Sequence, residues 1–566
     1  MLRSAPALAL FALMLALYAW TMPSRVQDNH DAVEEAHLAL MHDVAPRPNH
    51  LLLTPTNQAL VRLVGADRPG RGRPFLWPQL LNTLAGAAAV ALLYRTLRNL
   101  GGGAGLSLAG TLLMAFSWAH WMHSRESESA MISQAFANAA LWLACRPRAA
   151  PGRGGAGGPL GPVAGALAAG AALGLSVLYA MNCVLIAPAL FLAVVVWAPA
   201  GARLRAAAAL VVAAVAVALP PYVLAAARIT SPLTPGSFLH WVLHHPNESS
   251  LSVKDLSLVS LMRAAAGLVN YFTGYTGVTT ALKQIVKGTG APALTTEDWL
   301  RFGFGLLVTL LLAVQLLRLP RSGREASVAA VCWVGFAGVA AFNVLWLGSD
   351  PQFWLPGVPF LVVQACAGRA AGGARGGGSE RAAPRRALAW ALAACAAVLF
   401  GVNFFYPVPT FAHRASGAGW RNAEVLSHIV KPGDLLLDQA GWGSYLRGFG
   451  PYREFHFIFS LHAKGHYYLE GLDRAVDSVQ VRGRNAYALG VFDPEIASSV
   501  GTWEQVHAFT GLSRRDVLDH LKERYRPYRI HPELFDGMLW KLESAPAQKL
   551  NPSDSAHAQR PLPGGS

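Results

Sequence analysis

The sequence predicts an α-helical polytopic membrane protein with about eleven spanning helices and a C-terminal soluble α/β domain, and three observations lead there. Runs of mostly apolar residues recur along the first 406 positions, each about the 20 residues that a helix needs to cross a ~30 Å hydrocarbon core. Only 14% of the 566 residues are charged, where an ordinary soluble domain carries about 25%. From about residue 410 the composition turns to that of a globular domain.

The expected spans lie near 5–22, 75–94, 104–121, 129–145, 160–180, 183–199, 206–227, 302–317, 327–347, 353–368 and 387–406. They are rich in Ala, Leu, Val and Gly, and small residues let membrane helices approach closely. The first segment has the length of a signal peptide, but the second span follows only after a loop of about fifty residues. It reads as an uncleaved anchor. The five cysteines all lie in apolar spans and form no disulfide framework or metal motif.

With the N-terminus placed in the cytoplasm, every short loop on that side is basic. Arg95 and Arg98, Arg146, Arg148 and Arg153, Arg203 and Arg205, Arg318, Arg321 and Arg324 fall there, as do Arg369, Arg375, Arg381, Arg385 and Arg386. The net charge of +15 is thus explained by topology, and no nucleic-acid-binding pattern accompanies it. Residues 1–408 form the expected membrane domain, 409–545 an extracytoplasmic α/β domain and 546–566 a Pro-, Ser- and Gly-rich tail with the composition of a disordered segment. This orientation puts the C-terminal domain in the periplasm of a Gram-negative cell, with the spans in its inner membrane.

The carboxylates divide unequally. Before residue 410, only Glu325 and Glu380 fall on the inner side. After the first span the outer loop carries Asp28, Asp31, Glu34 and Glu35. Val33, Ala36, Leu40 and Val44 recur at helical spacing, so the loop reads as a short surface helix with its acids near the start. Acids there suit the helix dipole, but capping needs one or two, not four. A carboxylate can serve as general base toward an acceptor hydroxyl or amine, and a second can orient the acceptor or a metal ion. The short second outer loop adds Glu126 and Glu128, an acceptor- or metal-binding pair in pattern.

These residues resemble the GT-C superfamily of integral membrane glycosyltransferases, of the protein O-mannosyltransferase and aminoarabinose-transferase type. Asp31-Ala32-Val33-Glu34 matches the family's acidic pair in the first outer loop. Pro46-Arg47-Pro48-Asn49-His50 matches the following turn, and Trp118 to Ser129 resembles the second outer loop. Asp350-Pro-Gln-Phe-Trp-Leu-Pro356 resembles a late outer loop, and the likeness covers roughly residues 1–406. Pro46 stands where many members have His, and Val33 where some have Gly.

The resemblance implies transfer of a sugar from a polyprenyl-phosphate donor to a lipid, glycan or protein acceptor outside the cytoplasm. Asp31 and Glu34 would be base and orienting group, with Asp28 and Glu35 in reserve. The anionic leaving group needs cations, for which His50, Arg62, Arg125, Arg263 and Lys283 are candidates. Each also reads as an interfacial residue with its charge at the lipid boundary. No cofactor is required by the sequence, although a divalent cation is compatible with it.

The long outer segment 228–301 holds His240, His244, His245 and Glu248, a zinc-like grouping that lacks the HExxH pattern. Residues 255–275 read as an amphipathic interfacial helix with Tyr271 and Tyr275. In the C-terminal domain strands are expected at 434–438, 454–459, 486–492, 528–531 and 537–542, with helices near 420–430, 468–480 and 504–523. Other readings are a flippase for lipid-linked sugars, a non-catalytic scaffold, or a polymerase using a diphosphate donor. A transporter is expected to show ionisable residues within its spans and related halves, and neither is evident.

Overall fold

Long stretches of Ala, Leu and Val leave the backbone one stable option in lipid, the helix that satisfies its own polar groups. The computed structural model describes residues 5–22, 39, 47–65, 76–146, 161–229, 232–243, 256–274, 277–287, 293–318, 323–346, 348–367, 382–405, 418–439, 446, 453–456, 466–493, 503, 506–507, 510–534 and 537–544. The chain divides into two compact units, Met1–Ala415 and Ser416–Ser566, close to the expected boundary at 408.

In the first unit, the helices are α1 (Ala5–Trp20), α2 (Leu53–Leu63), α3 (Leu76–Asn99), α4 (Ala104–Ala115), α5 (Trp118–His123) and α6 (Ala130–Ala144). There follow α7 (Pro162–Tyr179), α8 (Ala187–Trp197), α9 (Arg203–Ile229), α10 (Pro235–Leu243), α11 (Leu258–Thr273) and α12 (Gly277–Lys287). The last four are α13 (Thr296–Leu317), α14 (Gly323–Leu345), α15 (Val358–Ala367) and α16 (Ala382–Phe405). Among the described residues, 6 helices are long and apolar enough to cross a membrane. Five shorter apolar helices, Ala5–Trp20, Ala104–Ala115, Ala130–Ala144, Met181–Trp197 and Val358–Ala367, fall on the remaining expected segments.

Close helix approach depends on glycine at specific places. On α7, a Cβ on Gly170 would lie 2.2 Å from the Leu210 carbonyl oxygen of α9, and one on Gly174 2.8 Å from that of Ala214. This is the small-residue packing that membrane helices use in place of a hydrophobic drive. Gly170→Leu is therefore expected to destabilise the unit by about 3 kcal/mol, the upper range for overpacking. Thermal unfolding of purified protein in detergent checks this, with Gly165→Ala, which meets open space, as the neutral control.

The helix expected at 255–275 is present as α11, with Leu258, Leu261 and Met262 exposed near its start and its later turns buried. Ala264, Gly267, Leu268 and Tyr271 are buried, and a Cβ on Gly267 would collide with the Gly348 carbonyl oxygen. The later turns of this helix therefore pack against protein. Tyr275 lies outside the described residues.

The second unit contains α17 (Ala418–Ile429), β1 (Leu435–Asp438), β2 (Arg453–His456), α18 (His466–Gln480), β3 (Ala486–Leu489), α19 (Arg514–Arg524), β4 (Tyr525–Arg529) and β5 (Leu539–Ser544). The strands form one sheet in the order β2-β1-β3-β5-β4. β1 runs parallel to β2 and β3, while β5 is antiparallel to β3 and β4. Leu435, Leu437, Ala486 and Ala488 pack with Leu472, Val476, Val517 and Leu521 of the helices.

β4 begins at Tyr525, ahead of the expected start at 528, and so includes Pro527. Its position at the sheet edge makes the missing N–H harmless there. The Tyr525 hydroxyl donates to Asp477 Oδ1 at 2.9 Å, and Arg524 pairs with Asp473 and Asp477 at 3.4 and 2.7 Å. These contacts fix the turn from helix into strand.

Candidate active site

Helix α4 stops at Phe116, and Ser117 adopts an extended conformation before α5. Such a break frees carbonyls that need partners in a buried setting. The Asn403 amide of α16 donates to Phe116 O and Phe272 O, both at 2.8 Å. One side chain thus closes the ends of α4 and α11 together.

Residues 124–129 follow α5, and every one of them is buried. The loop packs on α3, where a Cβ at Gly86 would lie 2.1 Å from Ser124 Oγ. Thr83 donates to Ser124 O at 2.8 Å, and Ser124 Oγ donates to His120 O at 2.6 Å. Arg125 turns inward and is fully buried. Its Nη1 donates to Thr21 O at 2.5 Å and its Nη2 to Met122 Sδ at 2.7 Å. Trp121 Nε1 donates to Thr21 Oγ1 at 2.9 Å. The 124–129 loop therefore grips the C-terminal end of α1.

At the centre, His123 Nδ1 lies 3.1 Å from Glu126 Oε2 and 3.1 Å from Glu128 Oε2. All three side chains are buried, with at most 8% exposure. Burial disfavours the charged ring, but Glu126 and then Glu128 outweigh it and hold the imidazole protonated well above its usual range. Burial also lowers Arg125, to about 10, against the attraction of Glu126, which leaves it a cation at neutral pH.

The three ligand atoms lie within 4.8 Å of one another. One nitrogen and two carboxylate oxygens form a donor set suited to a borderline or hard divalent ion, such as zinc or manganese. The same set is electrostatically complete as an imidazolium between two carboxylates, so a metal would enter by displacing the ring proton.

The loop's other end meets the first outer segment. Ser129 Oγ lies 2.7 Å from His50 Nδ1, which is also 3.1 Å from Tyr179 O. Tyr222 donates to Pro48 O at 2.6 Å, and Leu52 N donates to Leu178 O at 3.0 Å. Buried Leu51, Leu178, Tyr222 and Trp241 pack around this elbow.

Glu126 and Glu128, paired in the sequence, are therefore brought together on one histidine. Of the proposed phosphate-binding cations, His50 is tied to Ser129, and Arg125 directs its hydrogen bonds into the protein. Arg62 is exposed on the last turn of α2, and Arg263 is half-buried on α11. Lys283 belongs to α12, and its side chain lies outside the described residues. Asp28, Asp31, Glu34 and Glu35 also lie outside them, as do His244, His245, Glu248 and the His240 side chain.

Two residues escaped the sequence reading. His123 carries a retrospective signal, since it precedes Glu126 by three residues at a helix end. Arg301, on the first turns of α13, donates to Thr273 O at 2.6 Å and pairs with Glu297 at 3.5 Å. It caps the C-terminus of α11, and no local pattern marks that role.

No protein-family model matches the chain, and no curated protein matches its sequence. Solved structures do. ArnT from Cupriavidus metallidurans bound to undecaprenyl phosphate matches with a TM-score of 0.57 and 14% identity, over 95% of this chain and 98% of that one. The apo state of the same protein matches with a TM-score of 0.57 and 13% identity, over 96% and 98%. The Archaeoglobus fulgidus oligosaccharyltransferase follows at a TM-score of 0.48 and 12% identity, over 96% of this chain and 74% of that one. The likeness to ArnT is one of fold, over nearly the whole of both chains.

Proposed function

We propose that this GT-C-fold membrane protein is a glycosyltransferase that moves a sugar from a polyprenyl-phosphate donor to an acceptor on the outer side of the membrane. The observation that carries the reading is the buried His123–Glu126–Glu128 cluster, seated in an outer loop of a fold shared with a protein that binds undecaprenyl phosphate. A lipid-linked donor demands such an architecture. Its tail needs lipid-facing helices, and its phosphate and sugar need a polar site at their rim.

Asp31 is the general base in this reading and Glu34 its orienting partner. The base takes the proton of the acceptor hydroxyl or amine as the acceptor attacks the anomeric carbon. The sugar–phosphate bond then breaks, and the polyprenyl phosphate leaves as an anion. His123, Glu126 and Glu128 position the acceptor or hold a divalent cation that does so. The anionic leaving phosphate needs cations, and Arg62, Arg263 and Lys283 are the proposed ones.

The test is sugar transfer by purified protein from a panel of polyprenyl-phosphate sugars. Transfer by the parent is expected to fall about 10²–10³-fold in Glu126→Gln and Glu128→Gln, the range for losing one preorganised electrostatic group. Unchanged rates in both variants would remove the cluster from the site. A chelator that stops the parent, with activity restored by manganese or magnesium, assigns the cluster to a cation. Indifference to the chelator assigns it to the acceptor.

A further inference from the structure

At the end of α3 and α6 opposite the Glu126–Glu128 loop, Arg95 and Arg146 converge on one indole. The Arg95 guanidinium carbon lies 4.7 Å from the Trp142 ring centroid and that of Arg146 3.9 Å from it. Each contact is favourable as a cation over a π face. Together they hold two like charges within about 9 Å of each other, on whichever sides of the ring they sit. Among the described residues, no carboxylate or carbonyl accepts a hydrogen bond from either guanidinium. All three side chains are only partly buried, so the forks remain open to an outside ligand.

Snorkelling does not account for this arrangement. Two interfacial arginines seeking only water would spread apart, because like charges repel and both stems are flexible. Here the ring holds them together, and their donors stay available. A phosphate that accepts from two guanidinium forks at ordinary charge-assisted distances needs their carbons within about 8 Å of each other, a separation inside the upper bound that the two ring distances set. Trp142 is of the residue type that is enriched where helix ends border the headgroups.

We propose that Arg95, Trp142 and Arg146 form a binding site for the headgroup of an anionic phospholipid, on the membrane face opposite the candidate active site. The lipid phosphate bridges the two guanidiniums and relieves their repulsion, and the indole fixes the forks in register. Basic pockets between helix ends on this side of a membrane bind anionic headgroups by the same physics. The site does not depend on the proposed transfer reaction.

Native mass spectrometry of the full-length protein, released from mixed micelles with phosphatidylglycerol or phosphatidylcholine, tests this. The parent is expected to retain phosphatidylglycerol in preference to phosphatidylcholine. Arg95→Gln and Arg146→Gln are each expected to lower that retention about five-fold, as for one basic residue at a lipid surface. Arg205→Gln, exposed on the same side of the membrane unit, is expected to leave retention unchanged. Equal retention of the two lipids by the parent overturns the proposal. So does undiminished retention of phosphatidylglycerol in both single variants, or an equal loss in Arg205→Gln, which makes the attraction a general property of the basic face.

Discussion

Asp31→Asn is expected to lower sugar transfer by about 10²–10⁴-fold, the range for removing a general base, with insertion and folding preserved. The case rests on where its loop begins and ends. At one side Thr21, just past the C-terminal end of α1, receives hydrogen bonds from Arg125 and Trp121. At the other, His50 meets Ser129. Both ends of the segment that carries Asp31 and Glu34 are therefore fastened to the loop that carries Glu126 and Glu128.

Glu34→Gln is expected to cost less, about 10–10²-fold, because an amide still orients an acceptor through a hydrogen bond while it cannot take a proton. A steady-state transfer assay on both variants, with the lipid-linked donor that the parent accepts, measures the two losses. If Asp31→Asn retains full activity while Asp28→Asn or Glu35→Gln loses it, the base is one of those neighbours. Full activity in all four variants removes the first outer loop from the chemistry altogether.

Gly86→Val is expected to abolish measurable transfer even though residue 86 bears no chemistry. A Cβ there would lie 2.1 Å from Ser124 Oγ and 2.8 Å from Ser124 Cβ. Ser124 cannot swing clear, since its hydroxyl is bonded to His120 O and its carbonyl accepts from Thr83. The loop must shift as a whole. It carries Arg125 away from Thr21 and moves Glu126 and Glu128 relative to the first loop. A misplacement of about 1 Å at a reacting centre costs about 10²-fold, and this displacement is larger.

Stability should respond as well, by about 1–3 kcal/mol for overpacking, so the informative comparison is of rate with melting temperature. Gly103→Ala, whose Cβ would meet nothing within 4 Å, is expected to change neither. Near-parental transfer in folded Gly86→Val would show that the position of the Glu126–Glu128 loop is not critical to the reaction.

Much of the architecture was legible in the residues. Apolar runs spaced by arginine-rich loops report contact with lipid directly, because each residue's burial in hydrocarbon is decided within its own helix. The five strands of the second unit were legible for a similar reason. Short β-rich runs such as Leu435–Asp438 and Ala486–Leu489 stand between turn residues. Glu126 and Glu128 were visible as a pair because they are two residues apart in a very short loop.

Other features have no local signature. Arg125 sits among the acids and reads as a site cation, but its meeting with Thr21 spans 104 positions, and only the packing of α1 against the second loop makes it structural. The amphipathic pattern of 255–275 records one apolar face without saying whether lipid or protein covers it. The convergence of Arg95 and Arg146 on Trp142 depends on α3 and α6 lying side by side.

The sequence by itself determined that this chain has apolar helices of membrane-spanning length and an α/β unit after them. Hydrophobic periodicity and charge bias are properties of each segment against its solvent. The tertiary structure alone decided that His123 joins Glu126 and Glu128, that Arg125 and Asn403 tie helix ends together, and that Gly86 must stay a glycine. Those outcomes depend on which side chains from distant segments come within a few ångströms, and the helix packing sets that.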